Sequence, residues 1–155
     1  MDFPNFPFDD TEAQAQGIFF DYDDTDFELQ NADAVENWIQ KIVADEGKTM
    51  GELSYVFCSD AFLHKINVEY LDHDTLTDII TFPLADDTET VAGEMYISVE
   101  RVADNAKDFG VSFTDELHRV VIHGVLHLCG YGDKSEAEEE LMRKKEEESL
   151  KKRAF

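Results

Sequence analysis

The stretch RVVIHGVLHLC, residues 119–129, leaves this chain the least freedom. Val120, Val121, Ile122, Val125, Leu126, Leu128 and Cys129 make a helix here apolar almost all round, and such a helix is stable only when other elements enclose it. A fold around a central buried helix follows. Inside that helix stand two polar residues, His123 and His127.

At four-residue spacing the two imidazoles lie roughly 40° apart in azimuth and about 6 Å apart along the axis, so they can converge on one point. As core residues, each would need a hydrogen-bond partner, and leaving one unpaired costs about 1–3 kcal/mol. A metal ion satisfies both. Gly124 between them costs about 1 kcal/mol relative to Ala in mid-helix, which predicts a close packing contact. Gly130 then ends the helix, and Asp133 is placed to return a carboxylate toward the histidines. Three protein ligands with an open fourth position is the arrangement of a catalytic zinc, which lowers the pKa of water from about 15.7 to roughly 7. The acid that follows the first histidine in HExxH peptidases is absent, because that position is Gly124. A zinc peptidase therefore stays only as an alternative.

Around this helix the pattern predicts β-α-β-α-β-β-α-α-α. GIFFDY (17–22) reads as a strand, and Val35, Trp38, Ile39, Ile42 and Val43 form a helical stripe behind a capping Asn or Asp and ahead of Gly47. ELSYVFCS (52–59) is a strand, and Asp60 opens a helix with Leu63, Ile66, Tyr70 and Leu71 as its inner face. TDIITFP (77–83) and VAGEMYISV (91–99) suggest a hairpin joined by an acidic turn. A helix runs over 100–109 and stops at Gly110, and Ser112 starts the histidine helix. Ser135 with Glu138 makes a capping box for a last helix, where Glu139–Arg143, Glu140–Lys144, Glu147–Lys151 and Glu148–Lys152 are i, i+4 pairs on a solvated face. The expectation is an α+β fold, a single mixed sheet of about four strands packed by about five helices with the zinc site on the central helix. Residues 1–16 read as a loosely ordered acidic arm and 17–155 as one domain, a metal-dependent hydrolase on this reading.

With 36 Asp and Glu against 13 Lys and Arg, the net charge is −23. Such a field repels polyphosphate at long range and calls for a local basic groove or a delivering partner if RNA is bound. No apolar run approaches the roughly 20 residues of a membrane span, and the opening MDFPNFPFDD lacks a signal-peptide pattern, so a cytoplasmic location is expected. Cys58 and Cys129 read as small apolar residues rather than a disulfide framework.

HGVLHLCGYGDK resembles the H-G-x-L-H-L-x-G-Y-x-H signature of the YbeY family, metal-dependent endoribonucleases of bacterial rRNA maturation. LHKINVEYLDHDTLTDIITFP (63–83) is similar to that family's L-N-x-x-Y/F … T-D-V-L-S-F-P segment, and GEMYIS (93–98) to its G-D-I-x-I-S strand. The resemblance implies an α+β fold with one Zn2+ held by His123, His127 and position 133. It also implies a single-strand-specific endoribonuclease acting on rRNA, in maturation of the small-subunit 3′ end and in ribosome quality control. The ribosome and a ribosomal or assembly-factor protein are the implied partners, with no DNA and no membrane.

Two positions depart from the family. Asp133 stands where it usually has His; Asp is a competent ligand that leaves the site one unit less positive. Leu71 stands where it commonly has an Arg, and Leu cannot replace a bidentate phosphate clamp. Lys65, Arg119, Lys134 and Arg143 are the candidate replacements, with His73 as a further substrate contact. His123 is assigned to catalysis as well as to metal; Asp78, on the matched T-D pair, is equally a candidate base and a strand cap. The non-enzymatic alternative is a ribosome-assembly or RNA-binding factor with structural zinc.

Overall fold

The computed structural model describes residues 17–72 and 77–155. Its elements are β1 (Gly17–Asp23), α1 (Ala32–Asp45), β2 (Thr49–Cys58), α2 (Asp60–Leu71), β3 (Ile79–Pro83), β4 (Thr90–Ser98), α3 (Val99–Phe109), α4 (Phe113–Leu128) and α5 (Glu136–Lys151). The expected order of strands and helices is present. The acidic arm and His73 lie outside the described residues.

The four strands form one mixed sheet in the order β1-β2-β4-β3. β1 with β2 and β2 with β4 run parallel, and β3 with β4 antiparallel, so the expected hairpin forms. Parallel neighbours need crossover connections, which α1 and α2 help supply. β3 is left at an open edge.

α4 is the central helix. Leu117, Val120, Val121, Ile122, Val125 and Leu126 are all buried, in one cluster with Tyr55, Met95 and Ile97 of the sheet and Val35, Ile39 and Ile42 of α1. Each such side chain contributes roughly 1.5–3 kcal/mol by leaving water. Tyr55 fixes the register of helix on sheet by donating its hydroxyl to the Val121 carbonyl at 3.0 Å. α2 covers the opposite face, where Leu63 and Ile66 pack with Cys58 and Ile80.

Three local expectations are corrected. Asn31 occupies the N-cap of α1 in a left-handed conformation, but its side chain makes no capping bond. Tyr70, expected inside, is 71% exposed, and Leu71 is also exposed. The buried residues of α2 are Leu63, Ile66 and Asn67, and Tyr70 lines an open groove with Phe82 and Tyr96. None of the four i, i+4 pairs expected along α5 closes among the described residues, and Lys152 bonds Asp45 at 3.0 Å instead, tying α5 to α1. The Ser135–Glu138 capping box of α5 is present. Among the described residues no helix is long and apolar enough to cross a membrane.

Candidate metal centre

Two glycines bring α4 against the hairpin. A Cβ on Gly124 would run into Met95 Sδ and come within 3.0 Å of Ile79 Cδ1, and one on Gly93 would meet the Phe82 carbonyl at 2.8 Å. The expected reason for Gly124 is therefore found. It sets His123 and His127 beside the sheet edge.

Past Leu128 the chain reverses at Gly130, whose φ of 111° suits glycine, while Tyr131 N–H returns to the Leu126 carbonyl at 3.1 Å. Tyr131 donates its hydroxyl to Glu46 at 2.7 Å, and the Lys134 and Ser135 amides donate to the Glu138 carboxylate. Held between these anchors, Asp133 points back at the helix. Its Oδ2 lies 3.5 Å from His123 Nε2 and 3.4 Å from His127 Nε2. Ligand atoms of the three residues all lie within 4.8 Å of one another, a group that can hold a metal ion. An ion with tetrahedral bonds of about 2.0–2.2 Å spaces its donors by roughly 3.3–3.6 Å, which these separations match.

The other ring nitrogen of His123 is occupied. Glu146 on α5 places Oε2 2.6 Å from His123 Nδ1, and its Oε1 accepts from Arg119 Nη1 at 3.0 Å. Arg119 also donates Nε to Glu116 at 3.0 Å, with a second short contact between Arg119 Nη2 and Glu116 Oε2. Both glutamates are buried, and the guanidinium between them is held firmly in its charged form by those carboxylates. Burial opposes protonation of His123, but the Glu146 contact and the charges of Asp133 and Asp78 hold its pKa above the ordinary histidine value.

A cleft of about 520 Å³ opens onto the trio, lined among others by Asn67 and Leu71 of α2, Thr81 of β3, and Asp78. Burial pushes the Asp78 carboxyl up, against the pull of the Arg119 and His123 charges, and Asn105 Nδ2 lies 3.4 Å from its Oδ2. No Lys or Arg lines this cleft among the described residues. The expected basic groove is not here.

The candidate cations are scattered. Lys65 lines a different groove, between Phe62, Tyr70, Phe82 and Tyr96. Arg119 is taken up by Glu116 and Glu146. Lys134 follows Asp133 directly in the chain. Arg143 lines a hollow of about 260 Å³ shared with His123 and Asp133, and no carboxylate of the described residues pairs with it. The cysteines are both free; burial pushes the Cys58 thiol up to about 12 and the Cys129 thiol up to about 11.

Glu146 and Glu116 are the site residues that the sequence pattern does not single out. A signal exists: Met142, Glu146 and Ser149, the buried residues of α5, fall at i, i+4 and i+7, so Glu146 lies in the middle of that helix's inward stripe.

The chain is also similar to known proteins. The family described as endoribonuclease YbeY matches residues 20–154. An endoribonuclease YbeY of Flavobacterium johnsoniae is 55% identical over 86% of this chain and 94% of its own length, and one of Christiangramia forsetii is 51% identical over 83% and 90%. The solution structure of a Thermotoga maritima protein superposes with a TM-score of 0.60 at 29% identity, covering 86% of this chain and 87% of that one. With that extent of match, the chain belongs to the endoribonuclease YbeY family.

Proposed function

We propose that this protein is a zinc-dependent endoribonuclease that hydrolyses phosphodiesters of unpaired ribosomal RNA precursors in the cytoplasm, in association with the ribosome. The observation that carries it is the convergence of His123 Nε2, His127 Nε2 and Asp133 Oδ2 at an open cleft, in a chain whose relatives are endoribonucleases. Two imidazole nitrogens and one carboxylate oxygen suit zinc better than calcium or magnesium, which prefer all-oxygen sets.

When bound, the ion supplies Lewis acidity at the phosphoryl oxygen and lowers the pKa of water. The chain's own residues do the rest. Glu146 keeps the His123 proton on Nδ1, which leaves Nε2 as the free donor. Asp78, in the same cleft, is the carboxylate placed to take up a proton. Arg143, uncommitted in the hollow beside His123 and Asp133, serves a substrate phosphate in place of the arginine that Leu71 replaces. One cation beside the ion implies a weak electrostatic grip and a shallow salt dependence.

The test is cleavage of labelled precursor rRNA by zinc-loaded protein, beside His127→Ala and a chelated control. Cleavage confined to the zinc-loaded parent is expected. Cleavage that survives loss of zinc would sink the proposal, and zinc binding without cleavage would favour an assembly factor. Peptide hydrolysis draws support from the open β3 edge beside the trio, but the space at Gly124 is filled by Met95 and can hold no glutamate.

A further inference from the structure

The cleft's position relative to the sheet carries more than its volume. α2 packs on one face of the sheet, through Leu63 and Ile66 against Ile80. α4 packs on the other, with Gly124 against Met95. Because Asn67 and Leu71 of α2 and His123 and Leu128 of α4 line the same cleft, it must run across the outer edge of β3.

That edge presents main chain. Ser98 N–H donates to the Asp78 carbonyl, and Leu84 N–H to the Ala92 carbonyl. With Ile80 opposite Tyr96 and Phe82 opposite Glu94, the even-numbered residues of β3 turn their amides and carbonyls toward β4. Odd-numbered residues therefore turn theirs outward. Ile79's outward carbonyl already accepts from the Thr77 hydroxyl at 3.3 Å, and Pro83 has no N–H. Thr81 is left offering an N–H and a C=O side by side into the cleft that holds His123, His127 and Asp133.

We infer that this stretch is a nucleobase subsite: one unpaired base lies in the cleft, its Watson–Crick edge bonded to the Thr81 amide and carbonyl. Leu71 and Leu128 supply apolar walls for its ring, and its phosphodiester lies at the metal trio. The reading rests on the proposed nuclease activity and deepens it. Two observations select a base over a phosphate here. The described lining holds no Lys or Arg, and it adds the Asp78 carboxyl, so a phosphate is unwelcome beyond the trio itself. An adjacent donor and acceptor is also what each base offers on its pairing edge, so the contact tolerates any base. A base already paired has none to offer, which gives a stereochemical cause for preferring single strands.

The experiment uses zinc-loaded full-length protein and single-stranded oligoribonucleotides carrying one abasic residue at successive positions, with KM and kcat read at the mapped cut. At one position beside the cut, loss of the base should raise KM roughly 5- to 100-fold with kcat little changed, and an N3-methyluridine there should do the same. Thr81→Pro deletes the outward amide and spares the ladder, as Pro83 already does on this edge strand. It should raise KM for intact RNA by a similar factor and add nothing on the abasic substrate. Zinc content and thermal melting check its fold; if it fails to fold, the N3-methyl substrate and Leu71→Trp, which fills the cleft, carry the test. RNA cleavage indifferent to the base at every position would overturn the subsite and leave the nuclease standing. So would losses from Thr81→Pro and the abasic residue that multiply. Absence of any RNA cleavage would overturn both readings, and hydrolysis of an unstructured peptide would assign the edge to a peptide strand.

Discussion

Glu146 bridges His123 and Arg119 with its two oxygens, Oε2 at 2.6 Å from the imidazole Nδ1 and Oε1 at 3.0 Å from the guanidinium. The carboxylate is itself fixed by Arg119, so the ring of His123 has one orientation and one tautomer with Nε2 free. Glu146→Gln keeps the volume and loses the charge. It should weaken zinc binding about 10- to 100-fold, read by competition with a chromophoric chelator. An unchanged affinity would show that helix packing alone positions the ring.

Arg119 is expected to matter for the fold more than for substrate. Arg119→Met strands two buried carboxylates, Glu116 and Glu146, and should cost about 3–5 kcal/mol in urea unfolding. A small stability loss with a large rise in KM would instead make it a phosphate ligand.

Arg143→Gln should do the opposite. The side chain holds no structural ion pair, so stability should stay within about 0.5 kcal/mol. The KM for RNA should rise, and the slope of log affinity against log salt should flatten by about 0.7.

Gly124→Ala gains about 1 kcal/mol of helix propensity but presses a methyl into Met95, which is fully buried, and toward Ile79. Overpacking of this kind costs about 1–3 kcal/mol, so a lower melting temperature is expected. An equal or higher one would mean that Met95 yields easily.

His118 sets part of the acid limit of the fold. Its Nδ1 contacts Arg153 Nη1 at 2.8 Å, and a guanidinium can only donate, so the ring is neutral. Burial first, then the Arg153 charge, lowers its pKa from 6.5 to about 4. Because the unfolded chain takes up this proton near 6.5 and the folded chain does not, its contribution is complete above that pH. It is lost as pH falls toward 4, at up to about 1.4 kcal/mol per pH unit. His118→Gln should flatten the stability profile over that window relative to the parent, measured by urea unfolding at stepped pH.

The sequence makes the framework of this protein legible because the framework depends on periodicity. The stripe of α1, the hairpin of β3 and β4, the capping box of α5 and the buried α4 each follow from spacing alone. His123, His127 and Asp133 come together because a glycine turn reverses the chain within six residues of the second histidine. Tyr70 is misread since helical period cannot reveal that this position of α2 faces an open groove rather than the core. Glu146 is hidden for another reason: a glutamate in a run of charges looks solvated, and only its partner 23 residues away on α4 shows otherwise.

The buried ionic cluster has an electrical consequence. Glu116 and Glu146 bring two buried negative charges to the one positive charge of Arg119, and the partly exposed Asp133 adds another carboxylate where it meets His123 and His127. A divalent cation held by His123, His127 and Asp133 offsets part of that negative charge. An ion held there would be a counter-charge for these carboxylates, and at a hundredfold its Kd it would raise the stability of the folded chain by about 2.7 kcal/mol. In a molecule already at −23, cation supply and persistence of the fold become one variable.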